Sequence, residues 1–177
     1  MGRLDGKVAI VTGGSSGIGK AIAVMYAKEG ADVVIISRKE EALKETCKLN
    51  EKKITYVVGD ITKTESIKKL VDYVKTKFGK LDILVNNAGW CPVQPLKEMK
   101  IEDYDKAFEL DVRALVHITI ECLPLILKSK GNILNISTIG ATHRAPNLSM
   151  YIGAKAAVDN FTRCWALELA KDGVRVN

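Results

Sequence analysis

Short apolar runs rich in β-branched residues alternate along this chain with longer segments of helical periodicity. The runs predict six buried strands, at 7–12, 31–36, 54–59, 81–86, 131–137 and from 174 onward. The segments between them predict helices at 17–29, 40–50, 64–78, 101–127 and 149–171. Because such alternation builds βαβ units, the sequence predicts an α/β fold, a doubly wound parallel sheet with helices on both faces.

The length and apolar content of the chain fit one domain. A chain of 177 residues with 47% hydrophobic residues can bury one sizeable core, whereas two separate cores would each be small. No Pro/Gly/Ser-rich linker and no internal repeat divides the sequence. We therefore expect a single domain over residues 1–177.

The net charge of +6 raises the question of a polyanionic partner. The lysines are dispersed among glutamates on predicted helix faces, so we expect a solvated surface, with nucleic-acid binding as the disfavoured alternative. The N-terminal residues lack the pattern of a signal peptide, and no apolar run is long enough to span a bilayer. These features predict a cytoplasmic protein without a membrane partner.

Neither the cysteines nor the histidines have the spacing of metal ligands. The four cysteines lie far apart without a C-x-x-C pair, at Cys47, Cys91, Cys122 and Cys164. We interpret them as buried reduced thiols and expect no metal site.

The first predicted strand runs directly into a glycine-rich turn, TGGSSGIG at 12–19, and then into a helix. Gly13 and Gly17 permit positive φ and close approach of the backbone to a pyrophosphate, and Gly19 permits close helix packing. The following helix N-terminus offers free N–H groups to an anion. The turn therefore predicts a dinucleotide site with Gly13, Ser15, Ser16, Gly17, Ile18 and Gly19, although glycines alone also fit an ordinary tight turn.

Three further segments follow in order. Asp60 and Ile61 come directly after the third predicted strand, and the NNAG sequence at 86–89 comes after the fourth, at the sheet edge where parallel α/β sheets bind ligands. Tyr151 and Lys155 form Y-x-x-x-K near the start of a helix, and a separation of four residues places both on one helix face.

Together these motifs resemble those of the short-chain dehydrogenase/reductase family, over residues 4–177. The resemblance implies a Rossmann-type fold and hydride transfer between a nicotinamide dinucleotide and a carbonyl or secondary alcohol. It implies that Asp60 lies near the adenine, that Asn87, Ala88 and Gly89 lie along the cofactor, and that Lys155 holds the nicotinamide ribose. Tyr151 is then the general acid/base, and we expect the Lys155 ammonium to lower its pKa.

Two positions depart from the family pattern. Thr138 stands where the family has the serine that holds the substrate oxygen, and its hydroxyl can donate the same hydrogen bond. Asp111 stands where the family has an asparagine that supports a proton relay. An ionised Asp111 near Lys155 would partly neutralise the field that lowers the Tyr151 pKa, so we expect a raised pH optimum.

The end of the second predicted strand indicates the cofactor. Ser37 occupies the place of the acidic residue in NAD enzymes of this family, and Arg38 follows it. Because a guanidinium binds a 2′-phosphate and a carboxylate would repel it, we predict NADP(H), with NAD(H) as the alternative. Arg38 could otherwise be an ordinary surface charge, and Ser16 stands where some NADP members carry a basic residue.

Family members continue beyond the sixth strand, so we expect the chain to be incomplete at its C-terminus, truncated after the start of that strand. The resemblance also implies a homodimer or homotetramer built through the helices at 101–127 and 149–171. Apolar residues at 90–93 and Met150, with His143, predict a hydrophobic small-molecule carbonyl or alcohol as substrate. The alternative is a catalytically silent dinucleotide-binding scaffold, or an inactive fragment of such an enzyme.

Overall fold

A computed structural model describes residues 2–177, and within them six parallel strands form one sheet. The strands are β1 Val8–Thr12, β2 Asp32–Ser37, β3 Ile54–Val58, β4 Ile83–Asn86, β5 Asn132–Asn135 and β6 Arg175–Val176. The helices are α1 Gly17–Lys28, α2 Glu40–Cys47, α3 Thr64–Phe78, α4 Ile101–Phe108, α5 Ala114–Ser129 and α6 Ser149–Leu169. The predicted doubly wound parallel α/β fold is confirmed.

The strand order is β3-β2-β1-β4-β5-β6, so the order of the strands reverses between β1 and β4. In open parallel sheets the crevice at such a reversal, at the carboxyl ends of the strands, is where ligands bind. The turns that follow β1 and β4 therefore face each other across this crevice.

Successive residues of the central strands pack on opposite faces of the sheet. In β1, Val8 and Ile10 join a core with α3, α5 and part of α6, whereas Ala9 and Val11 join a second core with α1 and α2. All five residues of β1 are buried, as expected for a parallel strand covered on both faces. Within residues 2–177, no helix has the length and apolar character to cross a membrane.

The predicted helix at 101–127 is wrong in one respect. A π-helical segment, Glu109–Arg113, separates α4 from α5 and places Asp111 at its centre. A π turn accommodates one extra residue without interrupting the apolar face, so periodicity alone does not reveal it, and such turns are frequent at functional sites. The cysteine interpretation is also corrected, since Cys122 is buried but Cys91 and Cys164 are exposed.

Asp82 lies buried at the amino end of the sheet, just before β4. Its Oδ2 atom accepts a hydrogen bond of 2.9 Å from the Val8 N–H. The Lys7 Nζ atom lies 3.0 Å from Oδ1, and the Lys80 Nζ atom lies 3.1 Å from Oδ2. Although burial raises the pKa of Asp82, these hydrogen bonds and charges lower it overall. The carboxylate thus joins β1 to β4 at the edge opposite the crevice.

Candidate functional site

A groove of about 840 Å³ lies at the carboxyl end of the sheet. The turns after β1, β2, β3 and β4 line it. Of the predicted cofactor-binding residues, those that line the groove are Gly13, Ser15, Ser16, Gly17, Ile18, Arg38, Asp60, Ile61, Asn87, Ala88 and Gly89. The remaining three lie beside it: Gly19 is buried in α1, and Tyr151 and Lys155 are on α6.

The glycine turn approaches the turn after β4 closely. Gly13 has φ +67°, and a Cβ atom there would lie 3.0 Å from Asn87 Nδ2 and 3.1 Å from Ala88 Cα. Gly17 has φ +52° and faces open space. Gly13 requires glycine because of both its conformation and the lack of space, whereas Gly17 requires it because of its conformation alone. Gly14, which the sequence analysis missed, requires glycine because of space: a Cβ there would lie 2.5 Å from the Ile35 side chain.

Thr12, also missed, joins the two turns. Its Oγ1 atom accepts hydrogen bonds from the backbone N–H groups of Asn87 at 2.9 Å and Ala88 at 3.0 Å. The Asn87 amide in return donates to the Thr12 carbonyl at 2.9 Å. The signal for Thr12 was its place at the carboxyl end of a buried strand, but its partners are 75 and 76 residues away in the sequence.

Arg38 and Asp60 lie at the turns after β2 and β3. Arg38 is exposed and lines the groove. Asp60 Oδ1 accepts hydrogen bonds from the Thr62 N–H at 3.0 Å and the Thr62 hydroxyl at 2.9 Å. Burial raises the pKa of Asp60, but the Thr62 hydrogen bonds and the charges of Arg38 and Lys63 lower it overall. Asp60 is therefore an ionised acceptor at neutral pH.

Tyr151 and Lys155 lie one helical turn apart in α6. Tyr151 is half-buried, and Lys155 is buried. The Lys155 Nζ atom lies 5.8 Å from the centre of the Tyr151 ring and donates a hydrogen bond of 2.9 Å to the Ile136 carbonyl. A Cβ atom at Gly89 would lie 3.5 Å from Lys155 Nζ, so the groove reaches the ammonium at this glycine.

Asp111 is buried beside Lys155. Its Oδ2 atom accepts a hydrogen bond of 3.0 Å from the Trp90 N–H, and its Oδ1 atom lies 3.4 Å from Lys155 Nζ. Burial raises the pKa of Asp111, and the Trp90 hydrogen bond and Lys155 offset only part of this effect. The site thus contains one buried carboxylate and one buried ammonium in contact.

The pKa of Tyr151 is raised, not lowered. Burial is the largest cause, Cys91 and Asp111 raise the pKa further, and the Thr138 side chain lowers it. The expectation that Lys155 lowers the pKa of Tyr151 is therefore wrong for the chain without ligands. The pKa is raised because burial desolvates the phenol, and because Cys91 and the Asp111 carboxylate lie near it.

Thr138 and the neighbouring loops form the entrance beside Tyr151. Thr138 begins a short 3-10 turn, Ile139–Ala141, and its Oγ1 atom accepts a hydrogen bond of 3.2 Å from the Gly140 N–H. The Gln94 N–H donates to the Asn147 carbonyl at 2.7 Å, which joins the loop after β4 to the loop before α6. Of the predicted entrance residues, Pro92 and Met150 are buried, Trp90 is half-buried, and Cys91, Val93 and His143 are exposed.

Buried amides hold the elements that carry these side chains. The Asn86 Nδ2 atom donates to Thr119 Oγ1 at 3.0 Å and to Asn135 Oδ1 at 2.8 Å. The Asn135 amide donates to Thr162 Oγ1 at 2.8 Å. Because Thr119 is in α5 and Thr162 is in α6, this network ties both helices to the strands β4 and β5.

The fold and these motifs define a known class of oxidoreductase. The family model for short chain dehydrogenases matches residues 7–177, so the chain belongs to the short-chain dehydrogenase/reductase family. In a crystal structure of a short-chain dehydrogenase/reductase of unknown function from Caenorhabditis elegans with cofactor, the matching chain is 37% identical, with a TM-score of 0.92. That match covers 99% of this chain and 69% of the other.

Two curated relatives are 3-oxoacyl-[acyl-carrier-protein] reductase FabG of Thermotoga maritima and (+)-borneol dehydrogenase 2 of Salvia officinalis. The first is 37% identical over 179 residues, and the second is 36% identical over 180 residues. Both matches cover 99% of this chain, but only 73% of the first relative and 64% of the second. The chain therefore spans about two thirds to three quarters of their lengths.

Proposed function

We propose that the chain acts in an NADP(H)-dependent oxidoreductase that transfers a hydride between the nicotinamide and a carbonyl or secondary alcohol. The observation that carries this proposal is the continuity of the site at Gly89. This residue lines the groove, and a Cβ atom in its place would meet the Asp111 carboxylate and approach the Lys155 ammonium. A ligand that lies along the groove would end beside Tyr151.

The residues of the groove fit a dinucleotide. Gly13 and Gly17, at positive φ, precede the N-terminus of α1, whose free N–H groups suit a pyrophosphate. Ser15, Ser16 and Ile18 would contact the phosphates, and the segment from Asn87 to Gly89 would contact the nicotinamide half. Arg38 supports NADP(H), since its exposed guanidinium can form a bidentate contact with a 2′-phosphate.

A dinucleotide held by these residues would supply or accept the hydride. Thr138 would donate a hydrogen bond to the substrate oxygen, and Tyr151 would transfer the proton to or from it. Because burial keeps the pKa of Tyr151 high, the phenol holds its proton at neutral pH. This protonation state favours the acid role, and thus the reduction of a carbonyl. Lys155 and Asp111 position the phenol and set the electrostatic field around it.

The substrate class follows from the entrance and from the relatives. Pro92, Val93 and Met150 make the entrance apolar, which supports a hydrophobic carbonyl compound. The two relatives are named for a 3-oxoacyl group and for borneol, so both names refer to carbonyl or alcohol chemistry.

The test is NADPH oxidation with a panel of hydrophobic ketones, using wild type and Tyr151→Phe. Removing a general acid lowers the rate by about 100-fold or more, whereas NADPH binding, followed by Trp90 fluorescence in a Trp165→Phe background, should change little. Equal turnover by both proteins would contradict the role of Tyr151. NADPH binding without turnover of any ketone by wild type would support the scaffold alternative instead.

We further propose a homodimer or homotetramer formed through α5 and α6. Exposed apolar side chains on these helices support it: Ile120 is 60% exposed, Phe161 36% and Leu167 82%. Burying such side chains against another copy is favourable. Sedimentation should give a mass at least twice that of the chain, and a monomer at every concentration would contradict this proposal.

A further inference from the structure

Arg38 and Lys63 lie on neighbouring turns and both line the groove. Arg38 follows β2, and Lys63 directly precedes α3. The two turns are adjacent because Ser37 pairs with Val58 in the sheet, and the Gly59 N–H donates to the Ser37 carbonyl at 3.0 Å. A cation from each turn therefore faces the same part of the groove.

The backbone holds Lys63 at a defined place. Its N–H donates to the Asp60 carbonyl at 2.9 Å. Its carbonyl accepts the first hydrogen bonds of α3, from Ser66 at 3.1 Å and Ile67 at 3.2 Å. Only the side chain of Lys63 is therefore free to adjust to a ligand.

The charges of Arg38 and Lys63 are not neutralised by ion pairs with other residues in 2–177. In contrast, Lys44 in α2 and Lys48 directly after it form ion pairs with glutamates one helical turn away. Over residues 2–177, neither Arg38 nor Lys63 forms an ion pair or a side-chain hydrogen bond. Both charges lower the pKa of Asp60. Their effects are smaller than that of burial, which raises this pKa, and than those of the Thr62 hydrogen bonds, which lower it. This shared influence indicates that the two cations converge on one region.

The Ser37 hydroxyl adds a hydrogen-bonding group between them. Ser37 lines the groove, and its Oγ atom is buried without a partner among residues 2–177. A buried hydroxyl without a partner is costly, and a phosphate oxygen is a strong acceptor for it. On two adjoining turns the groove thus presents the Arg38 guanidinium, the ammonium groups of Lys39 and Lys63, and the unsatisfied Ser37 hydroxyl.

We propose that Lys63 is a second specificity-determining residue, which binds the 2′-phosphate of the dinucleotide together with Arg38. This inference rests on the proposed function, because it concerns the same cofactor. Arg38 supplies the planar, bidentate contact, and Lys63 supplies a point charge against the remaining phosphate charge. An NAD(H) molecule, without that phosphate, gains nothing from Lys63.

The experiment compares the binding of 2′,5′-ADP and 5′-AMP by the full chain, measured by calorimetry at low ionic strength. Lys63→Ala should weaken 2′,5′-ADP binding roughly fourfold, in keeping with an exposed ion pair, and leave 5′-AMP binding within about twofold. Lys63→Arg should restore the binding of 2′,5′-ADP. The matched control is Lys68→Ala, which removes an exposed lysine of α3 outside the groove and should change neither nucleotide's affinity.

The outcomes separate the two proposals. One outcome is that wild type prefers 2′,5′-ADP, that Arg38→Ala abolishes this preference and that Lys63→Ala keeps it. This outcome overturns the role of Lys63, while the NADP(H) proposal stands. Equal weakening of both nucleotides by Lys63→Ala also overturns it, since the lysine would then act on their shared part. If wild type does not discriminate between the nucleotides, both proposals fail.

Discussion

The two ends of the sheet each contain a buried aspartate, and their environments differ. At the amino end, the Asp82 carboxylate has two lysines within 3.1 Å and a backbone N–H, and its pKa is lowered. At the carboxyl end, Asp111 has one lysine at 3.4 Å and one backbone N–H, and its pKa is raised. Asp111 is the more deeply buried, at 1% exposure against 5%.

This difference indicates what each end does. At Asp82, the charges compensate burial fully, so the carboxylate joins strands and stabilises the fold. At Asp111, compensation is incomplete, so the charged form of this carboxyl beside the candidate proton donor is disfavoured. Perturbed titration of this kind is concentrated at functional sites, where stability is given up for chemistry.

The largest expected effect is that of removing the single lysine partner of Asp111. Lys155→Met leaves a buried carboxylate without its ammonium and should cost about 3 kcal/mol in the free energy of unfolding. Lys7→Met is the matched control: Lys80 stays beside Asp82, so the expected cost is below about 1 kcal/mol. Urea denaturation measures both. Equal costs would remove the distinction between the two ends.

A smaller effect of opposite sign should separate the two aspartates themselves. Asp82→Asn should destabilise the chain by about 2 kcal/mol at pH 7, because a charged hydrogen-bond acceptor is lost. Asp111→Asn should leave stability unchanged or raise it, because a desolvated charge is removed.

The pH dependence of stability should also be opposite for the two aspartates. Asp82 contributes stability above its unfolded-state pKa, and this is lost as the pH falls through its lower folded-state pKa. Asp111 costs stability as the pH rises from its unfolded-state pKa through its raised folded-state pKa. Urea denaturation at several acidic pH values measures both contributions. The contribution of Asp82 should disappear in Asp82→Asn, and that of Asp111 should disappear in Asp111→Asn. The same pH dependence of stability in both variants would contradict the comparison.

The smallest expected effect concerns the pH profile of catalysis. Since Asp111 raises the pKa of Tyr151, Asp111→Asn should shift the limb of kcat/KM that depends on the phenol to lower pH, by roughly half a unit to one unit. Alcohol oxidation, which needs the phenolate, shows this limb most clearly. An unchanged profile would mean that the carboxylate does not act on the tyrosine.

Much of this organisation could be predicted from the sequence. Strand and helix alternation predicted the two-sided parallel sheet because each strand is a short, continuous apolar run, as in β1. The groove could be located from Gly13, Asp60 and Gly89, because the carboxyl ends of neighbouring parallel strands meet at one edge.

The remaining features depend on contacts between distant segments. The π turn around Asp111 leaves no mark in the apolar periodicity, and the hydrogen bonds of Thr12 depend on the register of β1 and β4. The direction of the Tyr151 pKa shift depends on burial and on Cys91, Asp111 and Thr138, whereas the Y-x-x-x-K motif shows only Lys155. Burial and electrostatics at the site therefore required the three-dimensional structure.

The most direct test of this account is the pKa of Tyr151 itself, in the chain without ligands. The ultraviolet titration of phenolate in wild type, minus that of Tyr151→Phe, isolates this group. We expect a pKa above the ordinary value of 10.0 in wild type and a lower pKa in Asp111→Asn. A wild-type pKa below that value, unchanged by Asp111→Asn, would contradict the claim that burial and the Asp111 carboxylate raise the pKa of the proton donor.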